Sequence, residues 1–232
     1  MLISVHLPKT AGSSFVSALE HFFGEHLLKD YADLPMNRST TRRNLSAMRN
    51  SVLLSGTGAV SSEIHCIHGH YMPIKYRLVR PRTPKVYVTW MRDPVERLAS
   101  HYYYWRRTYH PDSAARVHRK VVEEDWSLER FCFSKEMRNT YAKFLWGFPP
   151  RKFAFIGITE DFERELARFS RQVLQNRLPV PSLNRNPAKD QRPYVDDPLF
   201  RAEVERFHAR DMQLYQYALQ LRERQEPVEA LV

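Results

Sequence analysis

Leu2-Ile3-Ser4-Val5-His6-Leu7-Pro8-Lys9-Thr10-Ala11-Gly12-Ser13-Ser14-Phe15 is the stretch on which the fold turns. Leu2 to Leu7 is a short apolar run stopped by Pro8, as a first strand would be. From Ser14 apolar residues recur as Phe15, Leu19 and Phe22 until Gly24, the spacing of one helix face. Strand, tight loop and helix thus follow one another directly. A loop of small polar residues that ends where a helix begins points backbone N–H groups outward, next to the positive end of the helix dipole. Lys9 adds a mobile charge, so the loop suits a phosphate. It equally suits a plain strand-to-helix turn that needs small residues for its geometry. The lysine precedes the glycine, which is not the order of a Walker A loop, so an ordinary NTPase is disfavoured.

The same alternation continues along the chain. Lys85 to Met91 reads as the strongest strand, with Val86, Tyr87, Val88, Thr89 and Trp90 in succession. Ile64 to His68 reads as another, and Phe153 to Ile158 as a third. Asp93, Pro94 and Glu96 form the opening of a helix in a capping-box arrangement, and Leu98, Tyr102 and Trp105 continue its apolar side. Phe162, Leu166, Phe169 and Val173 make a further helix, with Thr159 as its expected cap, and Asp197-Pro198 opens a last helical region reaching about Arg224. The arginine-rich segment 37–50 lacks clear periodicity and reads as a solvated basic connection. Strands alternating with helices imply an α/β three-layer sandwich: a central, mainly parallel sheet flanked by helices.

At 232 residues and 43% hydrophobic content, the chain fits one domain spanning residues 1–232. Its formal charge of +10 favours anionic partners. Cys66 and Cys132 suggest free thiols rather than a disulfide framework, and no stretch has the ~18 to 20 apolar residues of a membrane span. No basic, apolar, cleavable leader opens the sequence, so the expectation is a soluble, cytoplasmic protein without a membrane span.

A second polar constellation, Arg92-Asp93-Pro94-Val95-Glu96-Arg97-Leu98-Ala99-Ser100, stands at the carboxyl end of the strongest strand, where open α/β sheets bind ligands. Arg92 can grip a phosphate through two parallel hydrogen bonds, and Ser100, two turns into the helix, can add a hydroxyl. Arg97 is either a second phosphate ligand or a salt-bridge partner, with the salt bridge favoured. Asp93 and Glu96 read as capping residues.

Together, Pro8 to Phe15 and Arg92 to Tyr102 resemble the two PAPS-binding motifs of the sulfotransferase superfamily, PAPS being 3'-phosphoadenosine 5'-phosphosulfate. His68-Gly69-His70, lying between them, brings the likeness nearest to the carbohydrate branch that includes the heparan sulfate uronyl 2-O-sulfotransferases. The resemblance covers residues 2–105, with weaker echoes at 156–162 and 214–215. It implies a P-loop-NTPase-like fold and sulfuryl transfer from PAPS to an acceptor hydroxyl, on a carbohydrate where the likeness to that branch holds, with PAP as product and no metal. It further implies that Lys9, Thr10, Ala11, Gly12, Ser13 and Ser14 hold the 5'-phosphosulfate, and Arg92 and Ser100 the 3'-phosphate. His70 would be the general base, supported by His68, while Lys9 would neutralise charge on the leaving oxygen. A late loop closes over the nucleotide in this superfamily, which makes Arg185 and Lys189 candidate donor contacts.

Other readings stand beside this one. Cys66, His68 and His70 alternate along a strand and could begin a zinc site, but same-face neighbours stand ~6 to 7 Å apart, wider than two ligands of one zinc usually do. Tyr102-Tyr103-Tyr104-Trp105 could stack a sugar, or half of it could be core. The basic stretch 106–120 could line an anionic acceptor's path or simply be solvated. A nucleic-acid-binding protein would spread its phosphate contacts over a face, and a P-loop-type kinase would need a Walker A lysine and metal-binding acids. The chain shows neither pattern, so nucleic acid is not an expected partner.

Overall fold

A computed structural model of the chain describes residues 1–33, 35–56, 58–81, 83–176, 178 and 193–225. Its centre is a five-stranded sheet in which every pairing is parallel, in the order β2-β3-β1-β4-β5. The strands are β1 (Leu2–Val5), β2 (Leu27–Asp30), β3 (Cys66–Gly69), β4 (Val86–Met91) and β5 (Phe153–Ile158). Among the described residues the helices are α1 (Gly12–Phe23), α2 (Thr40–Leu53), α3 (Pro94–Arg107), α4 (Arg116–Glu123), α5 (Leu128–Cys132), α6 (Thr140–Phe144), α7 (Phe162–Phe169), α8 (Pro198–Phe207) and α9 (Ala209–Gln225).

Period-two alternation along the strands divides the core between the sheet's two faces. Ile3, Val5, Ile67, Tyr87, Met91, Ile156 and Ile158 pack with Tyr141 and Phe144 of α6 and with Tyr215 and Ala218 of α9. Leu2, Cys66, Val88, Trp90 and Phe155 pack on the other face with Phe15, Ala18 and Leu19 of α1 and Phe162, Leu166 and Phe169 of α7. Both faces being covered explains why β4 and β5 are apolar nearly throughout. Each such large side chain, removed from water, stabilises the fold by about 1.5–3 kcal/mol before entropy is counted. A third cluster joins Val95, Leu98 and Tyr102 of α3 to Phe131 of α5 and Val204 of α8. No helix among the described residues is long and apolar enough to cross a membrane.

The topology fixes where a ligand can sit. After β1 the chain runs through α1 to β2, two places to one side, whereas after β4 it passes to β5 on the other side. The switch point therefore lies between the carboxyl ends of β1 and β4, which are hydrogen-bonded neighbours with Val5 opposite Thr89.

Three local expectations are corrected and one strand is added. The segment 37–50, read as a solvated connection, carries most of α2, a fourteen-residue helix. The edge strand β2 has no counterpart in the sequence reading; Leu-Leu-Lys-Asp is too short to show alternation, and it is recruited by pairing with β3. Thr159 does not cap α7, whose N-cap position is Asp161; a 3-10 turn at Thr159–Asp161 intervenes. The capping box at α3 is only half formed. Asp93 Oδ1 accepts from the N–H groups of Val95 and Glu96, both at 3.0 Å, but the return bond to Asp93 N–H comes at 2.8 Å from Glu160, beyond β5.

Candidate active site

The loop after β1 carries two non-glycine residues in left-handed conformation, Lys9 with φ 66° and Ala11 with φ 57°. L-residues enter that region at a cost, so it persists only where the surroundings impose it, and functional sites are where it clusters. Left-handed residues placed next to right-handed ones turn successive N–H groups to one side. The first helical hydrogen bond of α1 runs from Phe15 N–H to the Ala11 carbonyl at 3.0 Å, so the N–H groups of Gly12, Ser13 and Ser14 precede the helical ladder. No acidic side chain occupies that first turn. Thr10 contributes only backbone to such a cradle, because its buried hydroxyl donates to the Leu7 carbonyl at 2.8 Å. Ser13 is exposed and Ser14 buried.

Lys9 lays its ammonium over the Tyr104 ring, 3.7 Å from the centroid. Burial, then the nearby Arg107 and Arg92 guanidinium groups, pull its pKa down to about 8. Lys9 leaves the end of β1 and Arg92 the end of the neighbouring β4, so two cations stand at the β1–β4 crevice. Arg92 is held from behind. Its backbone N–H donates to the Tyr141 hydroxyl at 3.0 Å, and the same hydroxyl donates to the Arg92 carbonyl at 2.8 Å. Its guanidinium lies 3.7 Å from Glu96 and over the Tyr194 ring at 5.6 Å. Glu96 also accepts from Tyr194 N–H at 2.9 Å, and Asp93 pairs with Arg201 of α8. Ser100 is half-buried on α3 and its hydroxyl has no hydrogen-bond partner among the described residues. Arg97 adopts neither expected role: it is wholly buried, donates to Thr140 Oγ1 at 3.3 Å, and has no carboxylate within ion-pair reach among the described residues. Arg185 and Lys189 lie outside the described residues.

On the other side of β1, β3 delivers the histidines. His70 Nδ1–H donates to the His6 carbonyl at 2.7 Å; a carbonyl can only accept, so this bond places the proton on Nδ1 and leaves Nε2 with its lone pair. His70 is partly exposed. Burial lowers its pKa below the usual 6.5, against which the carbonyl bond acts weakly, so the ring is neutral at pH 7. His68 makes no hydrogen bond to His70. It is buried, 2.8 Å from Ser4 Oγ through Nδ1, with Nε2 unpartnered among the described residues and its pKa pushed down to about 3 by burial and then by His70.

Between these two rings lies His6, which the sequence reading assigned no role. Its imidazole stacks on His70 at 4.2 Å between centroids and on His68 at 5.2 Å, with interplanar angles of 22° and 23°. Tyr31 closes the group edge-on, 5.0 Å from His70, with its hydroxyl 3.4 Å from His6 Nδ1. The signal was present as a cross-strand row. Ser4 pairs with His68 in parallel register, so the next same-face positions are His6 and His70. The ring also explains Gly12: a Cβ there would lie 1.7 Å from His6 Nε2.

No protein-family model matches this chain, and no curated protein matches it. Its reading rests on the site's geometry.

That geometry joins a backbone anion cradle, a cationic rim and a base-competent imidazole. Tyr104 is exposed beside Lys9 and Tyr103 is exposed with its ring stacked on Tyr194 at 5.6 Å, while Tyr102 is buried and Trp105 packs inward, so half of the aromatic cluster is core. Cys66 is fully buried and burial pushes its thiol up. No group of three His, Cys, Asp or Glu placed to hold a metal is present among the described residues.

Proposed function

We propose that this chain is a sulfotransferase with a P-loop-like cradle, moving a sulfuryl group from PAPS to an acceptor hydroxyl. The observation that carries the reading is the meeting of three parts at three adjacent strand ends. The loop 8–14 leaves β1, Arg92 leaves β4 on one side of it, and His70 leaves β3 on the other with Nε2 free to accept a proton. The Lys9 ammonium, depressed first by burial and further by the Arg107 and Arg92 guanidinium groups, fits a donor bearing several negative charges.

In this reading the N–H groups of the loop orient the 5'-phosphosulfate, and Arg92 with Ser100 holds the 3'-phosphate, the group that distinguishes PAPS from ATP. His70 Nε2 takes the acceptor's hydroxyl proton as the acceptor oxygen bonds to sulfur. The bond between sulfur and the bridging oxygen breaks, and Lys9 neutralises the charge left on that oxygen of PAP. Fixed cations and amides need no reorganisation at the moment of transfer, which is where such sites gain most of their rate. The exposed Tyr104 ring beside Lys9 favours a ring-shaped acceptor such as a sugar.

The test is calorimetric titration with PAP, ADP and AMP, repeated on Arg92→Ala. Preferential PAP binding, abolished by Arg92→Ala, is expected, followed by sulfate transfer in an acceptor screen that His70→Ala eliminates. Equal affinity for ADP would overturn the reading in favour of a nucleotide kinase. Salt-sensitive binding of nucleic acid without PAP preference would favour a nucleic-acid-binding protein.

A further inference from the structure

Helix α2 is built inside out. Its inward stripe, Arg43, Ala47 and Ser51, is buried although two of the three are polar, and Arg43 Nε, Asn44 Oδ1 and Ser51 Oγ find no hydrogen-bond partner among the described residues. Its outward stripe is apolar. Leu45, Met48 and Val52, spaced by three and then four, are 56%, 39% and 62% exposed, and Leu53 beside them is 61% exposed. None of the four belongs to the three buried clusters. A surface helix of a globular protein ordinarily does the reverse, turning its apolar face to the core. Single exposed leucines need no explanation, but a contiguous stripe along a helix does.

The charge around the stripe says what it faces. Arg42 and Arg49, seven residues apart and both exposed, lie along one flank, with exposed Arg38 just before the helix. Residues 34–62 contain four arginines and no aspartate or glutamate. An aliphatic stripe edged by arginines has the composition of a helix that lies in a bilayer interface. A nucleic acid or sulfated polymer would engage the arginines but has no use for the aliphatic side chains. A second copy of the chain would bring the same arginines against themselves in a molecule of formal charge +10.

We infer that α2 is an interfacial helix that docks the protein on an anionic phospholipid surface. Leu45, Met48 and Val52 enter the boundary between headgroups and acyl chains, and Arg42 and Arg49 pair with lipid phosphates. None of these residues belongs to the donor site, so the inference stands or falls independently of the proposed reaction.

The test uses the full chain in vesicle flotation, with phosphatidylcholine alone and with added phosphatidylserine, alongside thermal unfolding and light scattering. Flotation with the mixed vesicles only is expected, reversed by high salt. Leu45→Ser/Val52→Ser should lower partitioning by more than about tenfold, and Arg42→Gln or Arg49→Gln by about fivefold each, without a change in Tm. In Val52→Trp the added indole should shift its emission to the blue with mixed vesicles alone. Failure to float, or flotation indifferent to all these substitutions, overturns the inference. So does a fall in Tm for Leu45→Ser/Val52→Ser, which would make the stripe an internal face, or a dimer that the same pair abolishes, which would make it a self-association surface.

Discussion

Gly12→Ala is a sharp probe of how the base and the loop are tied together. The added methyl would stand 1.7 Å from His6 Nε2 and 1.9 Å from Cε1, so the ring must leave its place. Leaving breaks two stacked pairs, with His70 at 4.2 Å and with His68 at 5.2 Å. At ~0.5–1.5 kcal/mol for each ring pair, less the ~0.5–1 kcal/mol that alanine gains over glycine in a helix, the net loss is about 1–2 kcal/mol. In a chain of this size that is a fall in Tm of roughly 2–8 °C, readable by thermal unfolding. The interaction can be isolated by a double-mutant cycle with His6→Ala. Once the ring is gone its space accepts the methyl, so Gly12→Ala should be neutral or mildly stabilising in the His6→Ala background. A Gly12→Ala protein as stable as its parent, or one destabilised equally in both backgrounds, would refute the claim that the ring is what requires glycine.

Other expectations follow from the same contacts. For the proposed transfer, His70 must be neutral and Lys9 charged, so kcat/KM should fall as pH drops below His70's lowered pKa and fall again above about 8. Lys9→Arg should remove the alkaline limb while leaving the acid one, and an alkaline limb that persists would exclude Lys9 as its source. Tyr141→Phe removes the hydroxyl that clamps both backbone groups of Arg92. The Arg92 N–H then loses its partner at a cost of about 1–3 kcal/mol, and calorimetry should find PAP bound about tenfold more weakly. Stability should also fall in acid. His68 and His208 are buried with pKa values lowered to about 3 and about 4, so between those values and 6.5 the unfolded chain binds protons that the folded one does not. Each then loses about 2 kcal/mol of stabilisation between pH 7 and 5. Asp211, raised to about 6 by burial, has the opposite sign and restores about 1 kcal/mol over the same interval. Urea unfolding at the two pH values measures the net, and an unchanged midpoint would contradict it.

What the sequence made legible was whatever one segment encodes by itself. Four of the five strands carry a run of strand formers, and α1 and α3 carry both period and termination signals, so the parallel sheet and its two ligand-facing loops could be read directly. β2 could not, because four residues are stabilised by their partner rather than by their pattern. α2 was hidden because its polar residues point inward and its leucines outward, so the rule that locates helices by a core-facing stripe has nothing to find.

The site shows the same division on a smaller scale. Lys9, Arg92 and His70 declare themselves by type and place, yet the residues that hold them come from elsewhere in the chain. Tyr141 lies forty-nine residues from Arg92, Glu160 sixty-seven from Asp93, and Arg201 a hundred and eight from Asp93. Only the register of the sheet connects His6 to its partners. Once Ser4 is set opposite His68, His6 must fall beside His70, and a glycine must stand beneath it for the ring to fit. A short-range motif therefore has a long-range cause. Gly12 is fixed by the side chain of β1 that packs against it, and that side chain by the strand beside it. A substitution at any of the three should be felt at the histidine whose free nitrogen the proposed chemistry needs.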